Sequence, residues 1–424
     1  MLTLKFINEN KELIIERLKI KNFDAAPVVD EIVKLDQSRK DIQMELDTCQ
    51  AEMNSISKQV GQLFKEGKAA EANAAKEKTG ELKEKIKVFN KQYNDAEQAL
   101  NEQLVLLPNI PHESVPAGKS DADNVFFRGG GEKPQLAESA IPHWDLAKKY
   151  DIIDFELGNK LTGAGFPVYK GKGAKLQRAL ISFFLEEADK EGYNEVMPPI
   201  MVNEESGFGT GQLPDKEGQM YHCTADNLYL IPTAEVPVTN IYRDVILEAK
   251  ELPKKNTAYT PCFRREAGSY GKDVRGLNRL HQFDKVEVVQ VQHPDKSYET
   301  LDQMVCYVET LVKKLGLPYR IVTLCGGDTS FTAAKTFDFE VYSAAQEKWL
   351  EISSVSNFES YQANRLKLRF KEDGQKKPIL AHTLNGSALA LPRVLATLLE
   401  NYQTPEGIKI PEVLQKYTGF DLIS

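Results

Sequence analysis

An α+β fold is predicted: a mainly antiparallel sheet with helices packed on it, preceded by a long antiparallel helical hairpin. Three observations predict it. Apolar residues recur in alternating steps of three and four from Ile32 to Leu63 and again from Ala72 to Leu100, the pattern of a seam between paired helices. Beyond residue 140, short β-branched stretches alternate with hairpin turns as well as with helices, which favours antiparallel pairing over a doubly wound parallel sheet. No GxGxxG follows a strand, so a Rossmann dinucleotide site is excluded.

The chain has 424 residues, enough for two or three domains. Its 41% hydrophobic and 27% charged residues are those of an ordinary globular protein. No apolar run reaches the roughly 18 residues of a membrane span. The opening MLTLKFINENKELIIERLK is too charged for a signal peptide, so a cytoplasmic location is expected. Cys49, Cys223, Cys262, Cys306 and Cys325 are dispersed with no CxxC pair. That set reads as reduced thiols, and no structural zinc is expected. His222 adjoins Cys223, but neighbours on a strand point apart, so packing explains them better than ligation. A net charge of −8 carries no global nucleic-acid signature; RNA binding would need a local patch.

Residues 1–25 read as a short helix and a connection. The first seam then runs through Ile32, Leu35, Ile42, Leu46, Cys49, Met53, Ile56, Val60 and Leu63, with Arg39 the polar intrusion. Glu66-Gly67-Lys68 breaks it. The second seam holds Ala72, Ala75, Thr79, Leu82, Ile86, Phe89, Tyr93, Ala96 and Leu100. Each arm, within about 28–104, would extend roughly 50–60 Å. Such pairs are commonly bundles or dimerisation coiled coils. Here, however, residues 58–91 carry nine lysines against five glutamates, a basic end suited to a phosphate backbone. The domains expected are 1–107, a linker or irregular lead-in at 108–140 with its prolines and Gly129-Gly130-Gly131, and 141–424.

In the last domain, residues 174–190 read as an amphipathic helix and 193–197 as a strand stopped by Pro198-Pro199. A short strand at 228–232 precedes Thr233-Ala234-Glu235. Residues 257–264 and 285–292 form an antiparallel hairpin, the second strand holding four valines. Residues 266–279 between them, with three glycines and five charges, read as a long mobile loop. Phe283, Lys285 and Glu287 share one sheet face. Arginine forks beside an aromatic ring suit a nucleotide, phosphate to guanidinium and base to ring; solvated surface charge is the bland alternative. A helix at 297–314, paired strands within 337–358 and a helix at 388–401 complete the reading.

Three separated pieces then coincide. A helix and strand end in Pro198-Pro199. The hairpin carries Cys262-Phe263-Arg264-Arg265-Glu266 and His281-Gln282-Phe283-Asp284-Lys285. Leu384-Asn385-Gly386-Ser387-Ala388-Leu389-Ala390-Leu391-Pro392-Arg393 runs into the terminal helix. In this order they resemble motifs 1, 2 and 3 of class II aminoacyl-tRNA synthetases. With Thr233-Ala234-Glu235, Glu351-Ile352-Ser353-Ser354 and the long hairpin, the whole chain resembles seryl-tRNA synthetases of the bacterial type.

The resemblance implies a class II catalytic sheet, a homodimer formed through motif 1, and an arm that grips serine tRNA and, where a cell has one, selenocysteine tRNA. It implies ATP, L-serine and Mg²⁺ as ligands. Arg264 is expected at the α-phosphate and serine carboxylate, Arg279 at the γ-phosphate, and Phe283 under adenine with Arg393 opposite and near the γ-phosphate. Arg265, Glu266, Ile352 and Ser353 fall within the same ATP-binding segments. Glu351 and Ser354 are the expected Mg²⁺ ligands. Thr233 and Glu235 are expected at the serine amino group, with Ala234 in the same serine-binding segment, and Glu287 and Ser387 at the serine hydroxyl, with Asn385 in support. Arg264, Glu287 and Arg393 are the expected catalytic groups. One departure stands out: the family commonly has a small serine where this chain has Arg265, and strand alternation turns Arg265 away from Arg264. A carrier-loading paralogue would lack the arm, and a non-catalytic RNA-binding scaffold would have lost the phosphate arginines; both features are present.

Overall fold

The computed structural model describes residues 1–215, 218–266 and 275–424. The chain divides into two units, one of Met1–Lys19 with Phe23–Pro108 and one of Ile20–Asn22 with Asn109–Ser424.

The first unit is helical. Two short helices, α1 (Leu4–Glu9) and α2 (Lys11–Leu18), precede α3 (Ala26–Lys65) and α4 (Ala69–Leu104). The last two are the predicted hairpin arms, joined at Glu66–Lys68 by a turn in which Gly67 takes a positive φ of 75°. Cys49, Ile56 and Leu82 are buried between them, with Met53, Val60, Ala75, Ile86 and Phe89 packed alongside. Arg39, the polar intrusion, finds partners inside the seam: it lies 2.8 Å from Asp36 and donates to the Tyr93 hydroxyl at 3.3 Å, while its Nε is buried without a partner. Asp36 is itself buried and also meets Lys40 and Asn8. Those partners outweigh burial and hold its carboxyl below the usual range.

The second unit is built on an eight-stranded sheet. Its strands in chain order are β1 (Val125–Gly130), β2 (Asn194–Glu195), β3 (Lys254–Phe263), β4 (Gln282–Gln292), β5 (Tyr319–Thr323), β6 (Lys335–Ser343), β7 (Lys348–Glu359) and β8 (His382–Ala390). Their spatial order is β1-β5-β6-β7-β8-β4-β3-β2. All neighbours pair antiparallel except β2 with β3. Three amphipathic helices, α6 (Gly171–Lys190), α7 (Ser297–Lys314) and α8 (Leu391–Asn401), share one core with the alternate residues Val286, Val288, Phe337, Phe339, Val341 and Leu384. A short helix, α5 (His143–Lys149), precedes them in sequence. The opposite face carries Lys285 and Glu287 from the other parity of β4. No helix among the described residues is long and apolar enough to cross a membrane.

Two local expectations differ from the structure, and a third cannot be compared with it. Residues 125–130, inside the expected irregular lead-in, form an edge strand against β5. The glycines that suggest a loop allow close approach instead: a Cβ on Gly129 would sit 2.6 Å from the Tyr319 carbonyl oxygen. The last helix starts at Leu391, not at residue 388, because residues up to Ala390 pair with β4 and Pro392 occupies the first turn, where its missing N–H costs no bond. In the loop read as mobile between β3 and β4, residues 267–274 lie outside the described residues.

Candidate active site

Strand parity gathers a compact polar pocket on the face away from α6, α7 and α8. Lys285 Nζ donates to Thr233 Oγ1 at 2.7 Å and lies 2.5 Å from Glu287 Oε2, with the two side chains only 7% and 2% exposed. Ser387 stands directly across from Glu287 in the β4–β8 register, and its hydroxyl donates to Glu287 Oε2 at 3.4 Å. Glu235 closes the pocket, accepting from Gln362 Nε2 at 2.6 Å. Gln362 is held in turn by the Thr383 hydroxyl at 2.7 Å. Burial, then the nearby negative charge of Glu287, pushes the Glu235 carboxyl up to about 7; Gln362, Lys285 and Arg264 oppose that shift. Asn385 is buried mid-sheet between Val289 and Ser356. A buried set of two carboxylates, one ammonium and two hydroxyls matches a small zwitterion with a polar side chain.

A second group flanks this pocket. Arg264 leaves β3 with its guanidinium 5.3 Å from the centre of the Phe283 ring, within cation–π range. Its backbone N–H bonds the His281 carbonyl at 2.9 Å, which closes the hairpin beneath it. Arg393, in the first turn of α8, donates from Nε to the Asn278 carbonyl at 3.0 Å and from Nη1 to the Glu351 carbonyl at 2.9 Å. Its Nη1 also lies 3.7 Å from Glu351 Oε2. Arg279 pairs with Glu266 at 3.3 Å.

Glu351 and Ser354 are three apart, a spacing that places side chains on opposite faces of a regular strand. The register shows why they meet. Glu340 faces Glu351 while Phe339 faces Ser353, so Ile352 is an extra residue in β7. Across this bulge Ser354 Oγ donates to Glu351 Oε1 at 3.4 Å. Asp338, opposite Ser354, adds a carboxyl whose Oδ1 is buried without a partner. Burial and the Glu351 charge push that carboxyl well above the usual range. Two crowded carboxylates and a hydroxyl form a hard oxygen set that fits a divalent cation also held by phosphates.

Several expected site residues enter differently. The Ile352 side chain belongs to the core under the helices, since the bulge leaves it on the opposite face. Ala234 is fully buried with Val238, Ala258 and Val289, so only its backbone can line the pocket. Ser353 is buried and donates to the Ser387 carbonyl at 2.6 Å, fastening β7 to β8. Arg265 is exposed on the Tyr221 side, where its charge counteracts part of the burial effect on that phenol, and its N–H bonds the Gln219 carbonyl. Lys285, Gln362 and Asp338 were not singled out by sequence reasoning. Lys285 had a signal, its shared parity with Phe283 and Glu287; the other two had none, because their partners are remote in sequence.

Comparisons with known proteins bear on this geometry. A family model described as tRNA synthetase class II core domain (G, H, P, S and T) matches residues 221–402, the segment that holds β3, β4, β7, β8 and every site residue above. The fold is thus that of a class II aminoacyl-tRNA synthetase. A second model, the seryl-tRNA synthetase N-terminal domain, matches residues 1–111. The serine–tRNA ligase of Salinibacter ruber is 50% identical over 99% of this chain and 98% of its own. That of Chlorobaculum parvum is 46% identical over the whole of both. A crystal structure of seryl-tRNA synthetase from Pyrococcus horikoshii complexed with ATP superposes with a TM-score of 0.88 at 34% identity, covering 100% of this chain and 99% of that one. The chain belongs to the seryl-tRNA synthetase family, and its activity is serine–tRNA ligation.

Proposed function

We propose that this chain makes seryl-adenylate from L-serine and ATP on the sheet face away from α6, α7 and α8 and then transfers the seryl group to tRNA. The observation that carries this reading is the Lys285–Glu287–Ser387 pocket, whose β4 residues share a parity with Phe283 of the Arg264–Phe283 pair; the Arg393–Glu351 pair supports it. Glu235 and Thr233 take the serine ammonium, Glu287 and Ser387 its hydroxyl, and Asn385 supports the floor. Arg264 bridges the serine carboxylate and the α-phosphate. Phe283 stacks on adenine with Arg393 on its other side, and Arg279 exchanges Glu266 for the γ-phosphate.

The chemistry needs no enzyme nucleophile. A serine carboxylate oxygen attacks the α-phosphorus in line, and the bond to pyrophosphate breaks. Arg264, Arg279 and Arg393 hold the reacting groups and offset the charge that develops. Glu351 and Ser354 would hold Mg²⁺, which supplies further neutralisation of the phosphates when bound. The 3′-terminal ribose hydroxyl of tRNA then attacks the adenylate carbonyl, AMP leaves and the hydroxyl proton is released. Alanine leaves Glu287 and Ser387 without their partner, the kind of loss that rejects an analogue by roughly 10⁴–10⁵-fold. Threonine meets steric refusal of its extra methyl group.

The basic end of the helical hairpin serves as the tRNA-binding arm, with all nine lysines of 58–91 exposed. The substrates are serine tRNA and, where the cell has one, selenocysteine tRNA. The working form is a cytoplasmic homodimer assembled through the motif 1 region. ATP–pyrophosphate exchange tests the reading: it is expected with serine and not with alanine or glycine. Exchange without serine, or a preference for alanine, contradicts it. Replacing residues 40–95 by a short turn is expected to spare serine-dependent exchange and abolish tRNA charging. Normal charging by the shortened enzyme would assign the arm some other purpose.

A further inference from the structure

A buried cluster outside the groups assigned above reaches the phosphate-side arginines through the backbone. His143 opens α5 and is fully buried. Its backbone N–H and its Nδ1 both meet Glu400 Oε1, at 3.0 and 2.7 Å. Glu400, near the C-terminal end of α8, is fully buried as well. The Leu277 N–H donates to His143 Nε2 at 2.9 Å. An acceptor at Nε2 requires a lone pair there, so the ring proton sits on Nδ1 and is donated to Glu400.

The carboxylate is anchored from elsewhere too. Ser343 Oγ donates to Oε2, and Gln346 Nε2 donates to Oε1 at 2.9 Å. Gln346 Oε1 accepts from Asn278 Nδ2 at 2.8 Å, and the Asn278 carbonyl is the one that Arg393 Nε holds at 3.0 Å. The rest of the first turn of α5 faces the same limb: the Arg275 guanidinium lies 4.6 Å over the Trp144 ring and 4.0 Å from Asp145. The limb has no slack at this contact. Gly276 takes a φ of 66°, and a Cβ there would sit 2.2 Å from His143 Nε2.

From this we infer that His143 is a positioning residue for serine activation: locked by Glu400, it pins the Leu277 backbone and so fixes residues 275–279 where Arg279 and Arg393 reach ATP. The inference rests on the assignment of those two arginines to ATP. Burying two ionisable groups is costly unless each finds its partners. The arrangement instead defines one position for a loop backbone, which an apolar pair could not grip.

The test is ATP–pyrophosphate exchange in the full-length enzyme with ATP and serine titrated separately and thermal midpoints recorded. His143→Leu is expected to lower kcat/KM for ATP on the order of 10²-fold while KM for serine stays within about twofold of the original. His143→Gln, which keeps a donor and an acceptor, recovers most of the loss. Gly276→Ala, whose Cβ presses on the His143 ring at a strained φ, is expected to give the ATP defect with a smaller fall in midpoint than His143→Leu. Equal losses toward ATP and serine, or no recovery by His143→Gln, overturn the inference. If His143→Leu does not fold, Gly276→Ala decides, and a normal KM for ATP there overturns it. Arg279→Ala separates the two claims. If it weakens ATP use while the His143 and Gly276 variants do not, the inference fails and the site assignment stands; if it leaves ATP use unchanged, the assignment itself fails.

Discussion

Two lysine–glutamate pairs in this chain have similar separations and opposite surroundings. Lys78 meets Glu52 at 2.8 Å across the helical hairpin, with side chains 58% and 43% exposed. Lys285 meets Glu287 at 2.5 Å on the catalytic sheet, with 7% and 2% exposed. In water the first pair is screened and its ordering costs entropy, so each such charge counts for little alone. Many exposed lysines together suit a polyanion, because each phosphate neutralised releases counterions. The second pair sits where dielectric screening is weak and every unmet group is expensive. The hairpin uses charge in sum; the pocket uses it one group at a time.

That contrast can be broken at three points. Glu287→Ala leaves the Lys285 ammonium buried with only Thr233. Loss of one partner of a buried pair costs about 3–5 kcal/mol, so a clear fall in thermal midpoint is expected together with loss of serine-dependent exchange. A stable variant that still selects serine would show that the pair is dispensable. The next effect is a pH dependence. The Glu235 carboxyl is pushed up to about 7 in the free enzyme. Below that pH it carries a proton, which must leave before the carboxylate can pair with the serine ammonium. KM for serine is therefore expected to rise as pH falls below 7, by about tenfold per pH unit, and to level off above it. Glu235→Gln should flatten that profile at a weaker KM; an unflattened profile assigns the titration to another group. The smallest effect belongs to the arm. Lys78→Ala is expected to leave the thermal midpoint unchanged and to lower the salt dependence of tRNA binding by about one unit of slope or less. A large drop in stability would show that the exposed pair behaves like a buried one.

The same contrast explains what the sequence reveals. The hairpin is a local, periodic object, so the steps from Ile32 to Leu63 and from Ala72 to Leu100 are enough to read it. The β3–β4 hairpin is also local, and its parity places Phe283 with Glu287. The pocket is assembled from distant segments: Lys285 touches Thr233, and Gln362 joins Glu235 to Thr383. A lysine on a strand reads as a solvated charge until its partners are known. The meeting of Glu351 with Ser354 depends on a one-residue bulge at Ile352, which no periodicity announces. The β1 strand is masked by glycines that serve close strand approach. His143 and Glu400 are separated by 257 residues, and nothing in either segment points to the other. The family motifs name candidate site residues such as Glu287, Ser387 and Glu351; the geometry gives the partners that surround them.

The central claim is that activation depends on charged groups gathered on the sheet face away from α6, α7 and α8, separate in effect from the proposed tRNA-binding arm. Arg264→Ala addresses it most directly, with serine-dependent ATP–pyrophosphate exchange and tRNA binding measured on one preparation. Removal of one preorganised charge-stabilising donor is expected to lower exchange by roughly 10²–10³-fold, while the Kd for tRNA changes by no more than about twofold. Exchange near the original rate, or parallel losses of exchange and tRNA binding, would contradict the account.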